Sequence, residues 1–374
     1  MEQNICVTII YPTDPLDFIP GGIDTFIRGI IKWAPTDISF EVVGVTTNSS
    51  IRPVGRWIEC SLDGRSFLFF PTLAIRDSLK SMRIPLTLQF TISLFLKKPR
   101  FLGAPIEFHR LEPILPFIND PRPKTAFIHL DMADLKNPMS SVRWKHWPSL
   151  YYRIEHELIQ RLSIVFAVRE SVVRIIRKQY PSMKKDIHFI PTWADPTIFY
   201  PLPKNDRQLA RVSLRNKLGL PMDAILGVTI GRLDSQKNPF LIIDALAQIA
   251  NYYPKFYVVF VGDGALRPRL KKQLQIDGLM DRALLLGTMT PPEVAKICQG
   301  SDMFLLSSSV EGMPMALLEA LACGLPAVAT NVGEVKRVIR HSINGKLLNE
   351  PTPQSYAKAI AERTLLNFIR RSMF

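Results

Sequence analysis

Two glutamates separated by seven residues form the pair in this chain best spaced for chemistry. They lie in Glu311-Gly312-Met313-Pro314-Met315-Ala316-Leu317-Leu318-Glu319-Ala320-Leu321-Ala322-Cys323-Gly324. Pro314 suits a first helical position and Gly324 a C-terminal stop. This reading puts Glu311 in the loop above a helix and Glu319 in its second turn, eight rises or ~12 Å further on. That span is roughly the distance from a sugar to the ribose of its nucleotide, and the N–H groups at the helix start would meet a diphosphate. The plain alternative is an amphipathic helix with an exposed Glu. Glu311 weighs against it, because it precedes Gly-x-Pro directly after an apolar strand.

A second group, Gly231-Arg232-Leu233-Asp234-Ser235-Gln236-Lys237-Asn238-Pro239, follows the apolar run Ile225–Ile230. A planar guanidinium and an ammonium in a strand-to-helix loop clamp phosphate oxygens and offset leaving-group charge without a metal. A solvated basic loop is the equal alternative on these residues alone. Val261-Gly262-Asp263-Gly264-Ala265-Leu266-Arg267 has two glycines of a dinucleotide fingerprint, but Arg267 replaces the third. There is no G-x-x-x-x-G-K-[ST] loop and no Asp-x-Asp or His cluster with ligand spacing, so neither a P-loop nor a metal site is expected.

The order Gly231-Arg232…Lys237-Asn238-Pro239, Val261-Gly262-Asp263-Gly264, Leu286-Gly287, Glu311-Gly-x-Pro…Glu319 and Asn344-Gly345 resembles the carboxyl-terminal domain of glycosyltransferase family 4. A weaker likeness continues in the first half through Gly21-Gly22, His129 and Asp195…Phe199-Tyr200-Pro201. The resemblance implies a GT-B fold, two Rossmann-like doubly wound α/β domains facing a central cleft, and a retaining transferase using a nucleotide-diphosphate sugar. It implies that Glu311 and His129 line the reacting sugar. Arg232 and Lys237 would neutralise the diphosphate, and Glu319 would hold the ribose. Gly312, Met313, Gly21, Gly22 and Thr288 would complete the donor site. For His129 a satisfied strand-end histidine is the alternative; His109, also after a strand, is read as part of a scaffold in which Arg110 and Glu112 pair. No metal or other cofactor is implied. The expected partners are a nucleotide sugar and an acceptor glycan or lipid-linked glycan, in cell-surface polysaccharide or glycolipid synthesis. Within the fold the rivals are a nucleotide-sugar epimerase or a phosphorylase; outside it, a non-catalytic basic binding protein.

Such residues need a scaffold that presents loops at strand ends. In the first half, Ile5–Tyr11, Glu41–Thr46, Ser66–Phe70, Ile106–His109, Ala126–Leu130, Ile164–Val168 and Ile187–Ile190 read as strands, with helices over Ile23–Trp33, Ser149–Leu162 and Ser171–Tyr180. In the second, strands are expected at Ile225–Ile230, Phe256–Val261, Ala283–Leu286, Met303–Leu306, Ala327–Thr330 and Lys346–Leu348. Asn238-Pro239 reads as a helix start and Thr290-Pro-Pro-Glu293 as a capping box. This alternation means a mostly parallel sheet in each half. Domains are expected over 1–200 and 201–350, joined by the Pro-rich stretch Pro201–Asp206, with 351–374 as a short tail. The tail is shorter than the closing helix of relatives, and Thr192-Trp193-Ala194 replaces their Asn-Gly before Asp195.

The 374 residues include 47 Lys and Arg against 33 Asp and Glu, a net charge of +14, with the excess spread over both halves. The surplus calls for a polyanionic partner. After the diphosphate, an anionic membrane is the expected one, with no nucleic acid. Arg143-Trp144-Lys145-His146-Trp147 mixes cations and aromatics suited to such an interface, with a surface loop as the alternative. Ile84–Leu96 is too short to span a membrane; the wider stretch Lys80–Arg100, flanked by Lys80, Arg83, Lys97, Lys98 and Arg100, reads by default as a buried helix, with a membrane interface or a polyanionic acceptor as the alternative. The start of the chain carries no secretion pattern, and Cys6, Cys60, Cys298 and Cys323 are scattered. Both features suit a cytoplasmic protein, peripheral on the inner membrane face.

Overall fold

The computed structural model describes residues 5–17, 21–75, 84–129 and 147–372; Arg143, Trp144, Lys145 and His146 of the basic-aromatic run lie outside them. The chain divides into two compact units between Thr192 and Trp193, eight residues before the expected boundary. Phe199 is buried in the second unit's core with Ala194 and Ile198 packed against it, so the chain joins that unit before the stretch expected to be a linker. Lys204–Leu218 is a helix (α5) of the second unit, preceded by Pro203 and stopped by Gly219 at φ 66°.

The first unit alternates β1 (Ile5–Ile10), α1 (Gly22–Trp33), β2 (Ile38–Thr46), β3 (Ile58–Leu62), β4 (Arg65–Ala74), α2 (Leu86–Lys97), β5 (Ile106–Phe108), β6 (Lys124–Ile128), α3 (Pro148–Ile159), β7 (Ile164–Ala167), α4 (Glu170–Gln179) and β8 (Ile187–Phe189). Its sheet runs β3-β4-β2-β1-β5-β6-β7-β8, parallel except for β3. Alternate residues enter opposite cores: Phe40 and Val42 lie in one, Val43 and Val45 in the other. β3 was not foreseen. It is an edge strand with exposed Glu59 and Ser61, in a hairpin turning at Asp63 and Gly64, both at positive φ.

The second unit comprises β9 (Ile225–Ile230), α6 (Pro239–Ile249), β10 (Phe256–Val261), α7 (Arg267–Ile276), β11 (Ala283–Gly287), α8 (Pro291–Gly300), β12 (Met303–Leu306), α9 (Met315–Ala322), β13 (Ala327–Thr330), α10 (Val335–Val338), β14 (Gly345–Leu348) and α11 (Pro353–Ser372). The parallel order β11-β10-β9-β12-β13-β14 is the doubly wound arrangement, with its switch point between β9 and β12. The capping box at α8 is formed: the Thr290 N–H donates to Glu293 Oε2 at 2.8 Å. α11 packs on α6, where Tyr356 is fully buried and its hydroxyl donates to the Val328 carbonyl at 3.1 Å. The stretch expected to be a short tail is therefore a helix anchored in the second unit's core.

Candidate functional site

Loops beyond the carboxyl ends of β9 and β12 flank the switch point, where doubly wound sheets bind ligands. Gly231 opens the first of them at φ 154°. Beside it, Gly262 sits at φ 129°, and a Cβ there would lie 2.0 Å from the Gly231 carbonyl oxygen. A glycine at 262 is thus needed for the two loops to touch. Lys237 closes the loop: its N–H donates to Asp234 Oδ1 at 3.0 Å, and its carbonyl accepts from Ser307 Oγ at 2.8 Å. Arg232 reaches outward, more than half exposed, with Nη2 3.5 Å from Asp234 Oδ2.

Across the switch point the Lys237 ammonium meets Glu311, with Nζ 2.5 Å from Oε1. The same oxygen accepts from Ser308 Oγ at 2.7 Å. Glu311 is buried, so pairing with both a cation and a hydroxyl keeps its charge tolerable out of water. Two of the expected residues are therefore in contact, and their loops are further sewn by Ser309 N–H to the Gln236 carbonyl at 2.8 Å and Gln236 Nε2 to the Val310 carbonyl at 3.1 Å. The cavity between these loops is only 10 Å³, room for about one water, so a larger ligand must lie outward of it. A hollow of 620 Å³ opens at the opposite, amino-terminal end of the sheet, against α5.

Gly312 and Met313 lead into α9, whose N-cap is Pro314 rather than a helical Pro314 as expected. Proline carries no side-chain oxygen, so no side chain caps the first turn. Gly333, at φ 55°, supports this loop from β13's end: a Cβ there would lie 2.2 Å from the Gly312 oxygen and 2.3 Å from that of Glu311. Glu319 lies half-buried on α9. Burial alone pushes its carboxyl up to about 7. Thr288 is exposed in the loop after β11, at the sheet edge and two strands from the switch point. It shares the sheet end with Lys237 and Glu311 but not their contacts.

In the first unit, Gly21 and Gly22 are exposed at the start of α1. Gly21 has φ 179°, ordinary extended backbone; what the glycine provides is room, since a Cβ would lie 2.8 Å from Asp24 Oδ2. His129 follows β6. Its Nε2 lies 3.1 Å from His109 Nδ1, and Phe26 packs edge-on against both rings. Burial, then Arg110, pushes the His129 imidazole down to about 3, and burial with His129 lowers that of His109. The pair is therefore neutral at physiological pH, one ring donating to the other. Arg110 hydrogen-bonds Tyr11 as well as feeling Glu112. Asp24 is raised to about 6 by burial against the pull of Thr13, and its Oδ1 has no partner. Ser308 and Gly333, which support Glu311 in the second unit, were not expected, and neither were the His109–His129 contact and the buried Asp24 in the first. The only signals for Ser308 and Gly333 were serines directly after a strand and a glycine after the next.

Among the described residues no group of three His, Cys, Asp or Glu side chains could hold a metal ion. Residues 211–370 match the family described as glycosyl transferases group 1. The chain is 35% identical over 150 residues to the UDP-Gal:alpha-D-GlcNAc-diphosphoundecaprenol alpha-1,3-galactosyltransferase of Escherichia coli, covering 39% of this chain and 38% of that one. It is 26% identical over 238 residues to the D-inositol 3-phosphate glycosyltransferase of Corynebacterium urealyticum, covering 62% and 55%. The chain thus spans about two fifths to just over half the length of these curated relatives. Among solved structures it resembles sucrose-phosphate synthase from Thermosynechococcus elongatus, with TM-score 0.77 at 18% identity over 97% of this chain and 90% of the other. It also resembles Anabaena HepE in complex with UDP-glucose, with TM-score 0.69 at 18% identity over 96% and 89%. The fold of the two α/β units is GT-B.

Proposed function

We infer that this chain, whose residues 211–370 match the family described as glycosyl transferases group 1, moves a sugar from a nucleoside-diphosphate donor to an acceptor hydroxyl with retention of configuration. The observation that carries the reading is the Lys237–Glu311 pair, built across the switch point by the loops of β9 and β12. Lys237 and the outward Arg232 would take the diphosphate and stabilise its charge as the glycosidic bond breaks. Glu311 uses Oε1 for Lys237 and Ser308, which leaves Oε2 to accept hydrogen bonds from the sugar hydroxyls. The uncapped first turn of α9 would meet the diphosphate, and Glu319 the ribose hydroxyls. A phosphate oxygen of the departing diphosphate would accept the acceptor's proton as the new bond forms on the same face. In the first unit, His129 would act as a neutral hydrogen-bonding group toward the reacting sugar, its Nε2 already engaged by His109.

The names of the relatives support a phosphorylated or lipid-linked acceptor: one acts on a diphosphoundecaprenol-linked sugar and another on D-inositol 3-phosphate. We read the chain as working in cell-surface polysaccharide or glycolipid synthesis, at the cytoplasmic face of a membrane. The direct test is a panel of UDP-, GDP- and ADP-sugars screened by thermal shift, then by nucleoside-diphosphate release with a lipid-linked acceptor. Ligand binding to the native state raises the melting temperature, so the true donor stands out. An isomeric nucleotide sugar formed from donor alone would overturn the transferase reading.

Two further results are expected. Ribose hydroxyls donate to an ionised Glu319 better than to a protonated one, so donor binding favours the charged form. As pH falls through about 7 the free protein's carboxyl takes up a proton, and donor affinity should fall with it. In Glu319→Gln that pH dependence should flatten, at an affinity below the wild type's at pH 8; calorimetric titration with UDP across pH 5.5–8.5 reads both, as roughly one affinity decade per pH unit below the pKa. Gly333→Ala should lower turnover about a hundredfold by displacing the Glu311–Gly312 backbone. Steady-state rates beside a near-wild-type circular dichroism spectrum check it.

A further inference from the structure

The helix α2 was expected to be buried, and only one side of it is. Phe90, Thr91, Ser93 and Leu94 face the first unit's core. On the other side Leu88, Ile92, Phe95 and Leu96 are 48%, 50%, 49% and 78% exposed, with Ile84 at 52% before the helix and Leu102 at 91% after it. Positions 84, 88, 92 and 95–96 recur at helical spacing, so these side chains form one stripe rather than scattered exposures. A solvent-facing helix side normally carries charge; this one carries large aliphatic and aromatic groups.

Charge around the stripe is one-sided. Residues 84–100 contain no Asp or Glu, and Lys97, Lys98 and Arg100 stand exposed at the helix's C-terminal end. Twelve residues make a helix of ~18 Å, well short of a bilayer core. Consistently, no helix among the described residues is long and apolar enough to cross a membrane. An apolar stripe with cations at its end and no acid along it matches a bilayer surface. The aliphatic groups enter the acyl boundary while the long cationic side chains reach back to anionic headgroups.

We propose that α2, with Ile84 and Leu102, is a docking face that lies flat in the interface of an anionic lipid bilayer. The face belongs to the first unit and owes nothing to the donor-site residues, so its fate is separate from that of the transferase reading. It bears on that reading by putting the unit expected to take the acceptor on the membrane that would carry one.

Flotation of the full chain with vesicles of phosphatidylcholine and phosphatidylglycerol, and with phosphatidylcholine alone, tests it without any sugar substrate. Binding is expected to the anionic vesicles and to weaken with salt. Ile92→Glu with Leu96→Glu should lower binding about tenfold or more at an unchanged melting temperature, because both side chains are exposed. Lys97→Ala with Lys98→Ala should weaken binding to anionic vesicles alone. Wild-type protein that stays off anionic vesicles, or variants that bind as well as wild type, would overturn the proposal. So would a dimer in sedimentation that the same glutamates dissociate, because the stripe would then be covered by a second copy.

Discussion

Lys237→Ala is expected to lower kcat for sugar transfer by about 10²–10³, equivalent to about 2.7–4 kcal/mol of transition-state stabilisation. The lysine has two tasks in the geometry. Its ammonium is one of the two cations available to a departing diphosphate, and its contact with Glu311 at 2.5 Å fixes the carboxylate that is to hold the sugar. Removing it leaves a carboxylate only 8% exposed with Ser308 as its remaining side-chain partner, so the Glu311 carboxylate loses the contact that holds its position. Arg232→Ala should cost less, about tenfold, because Arg232 is 57% exposed, where solvent screens its charge. A double-mutant cycle on Lys237→Ala and Glu311→Gln separates the two tasks. If orientation of Glu311 dominates, the double variant will be little worse than either single one; if diphosphate charge dominates, the losses will add. Donor-stimulated release of nucleoside diphosphate gives the rates.

The second unit was far more legible than the first. Ile225–Ile230, Phe256–Val261, Met303–Leu306 and Ala327–Thr330 occur as strands at the expected residues, because each is a short apolar run closed by Gly, Asp or Pro and buried on both faces. In the first unit β2 and β4 run beyond the apolar cores expected of them. β3 escaped notice because an edge strand can alternate Glu and Ser with Ile and Leu. α5 was hidden by a Pro-rich start that reads equally as linker or as helix entry. The same limit governs the site. Glu311, Lys237 and Arg232 could be found because each sits just past a recognisable strand. Their partners could not, because Ser308 matters only once β12 lies beside β9, and Gly333 only once the loop after β13 presses on Gly312. His109 and His129, twenty residues apart, become a pair through β5 and β6 being neighbours. The overturned expectation for α2 has a related cause: composition says a helix is apolar, not how many of its sides the fold covers.

At the other end of the second unit's sheet, Arg215→Ala should cost stability rather than catalysis. Arg215 is 1% exposed, and its guanidinium donates to the carbonyls of Ala224 (3.0 and 2.7 Å), Gly300 (3.0 Å) and Arg211 (3.1 Å), and to Asp302 Oδ2 (2.7 Å). It thereby ties α5 to the end of α8 and to the chain entering β9. Asp302 also pairs with Arg211 and accepts the Leu226 N–H at 2.8 Å. Alanine would strand the Ala224 and Gly300 carbonyls in the interior and remove one of the two cations held against a buried carboxylate. The expected loss is about 3–5 kcal/mol. Replacing the pair by Met and Leu would not restore it, because the Leu226 N–H would still lack an acceptor. Hydrogen exchange of peptides spanning β9 and β12 measures the loss locally. Lys237 and Glu311, proposed to bind the donor, lie past the carboxyl ends of those strands and Arg215 below their amino ends. The variant should therefore keep wild-type kcat at temperatures where it remains folded, whereas Lys237→Ala should keep wild-type exchange and lose kcat.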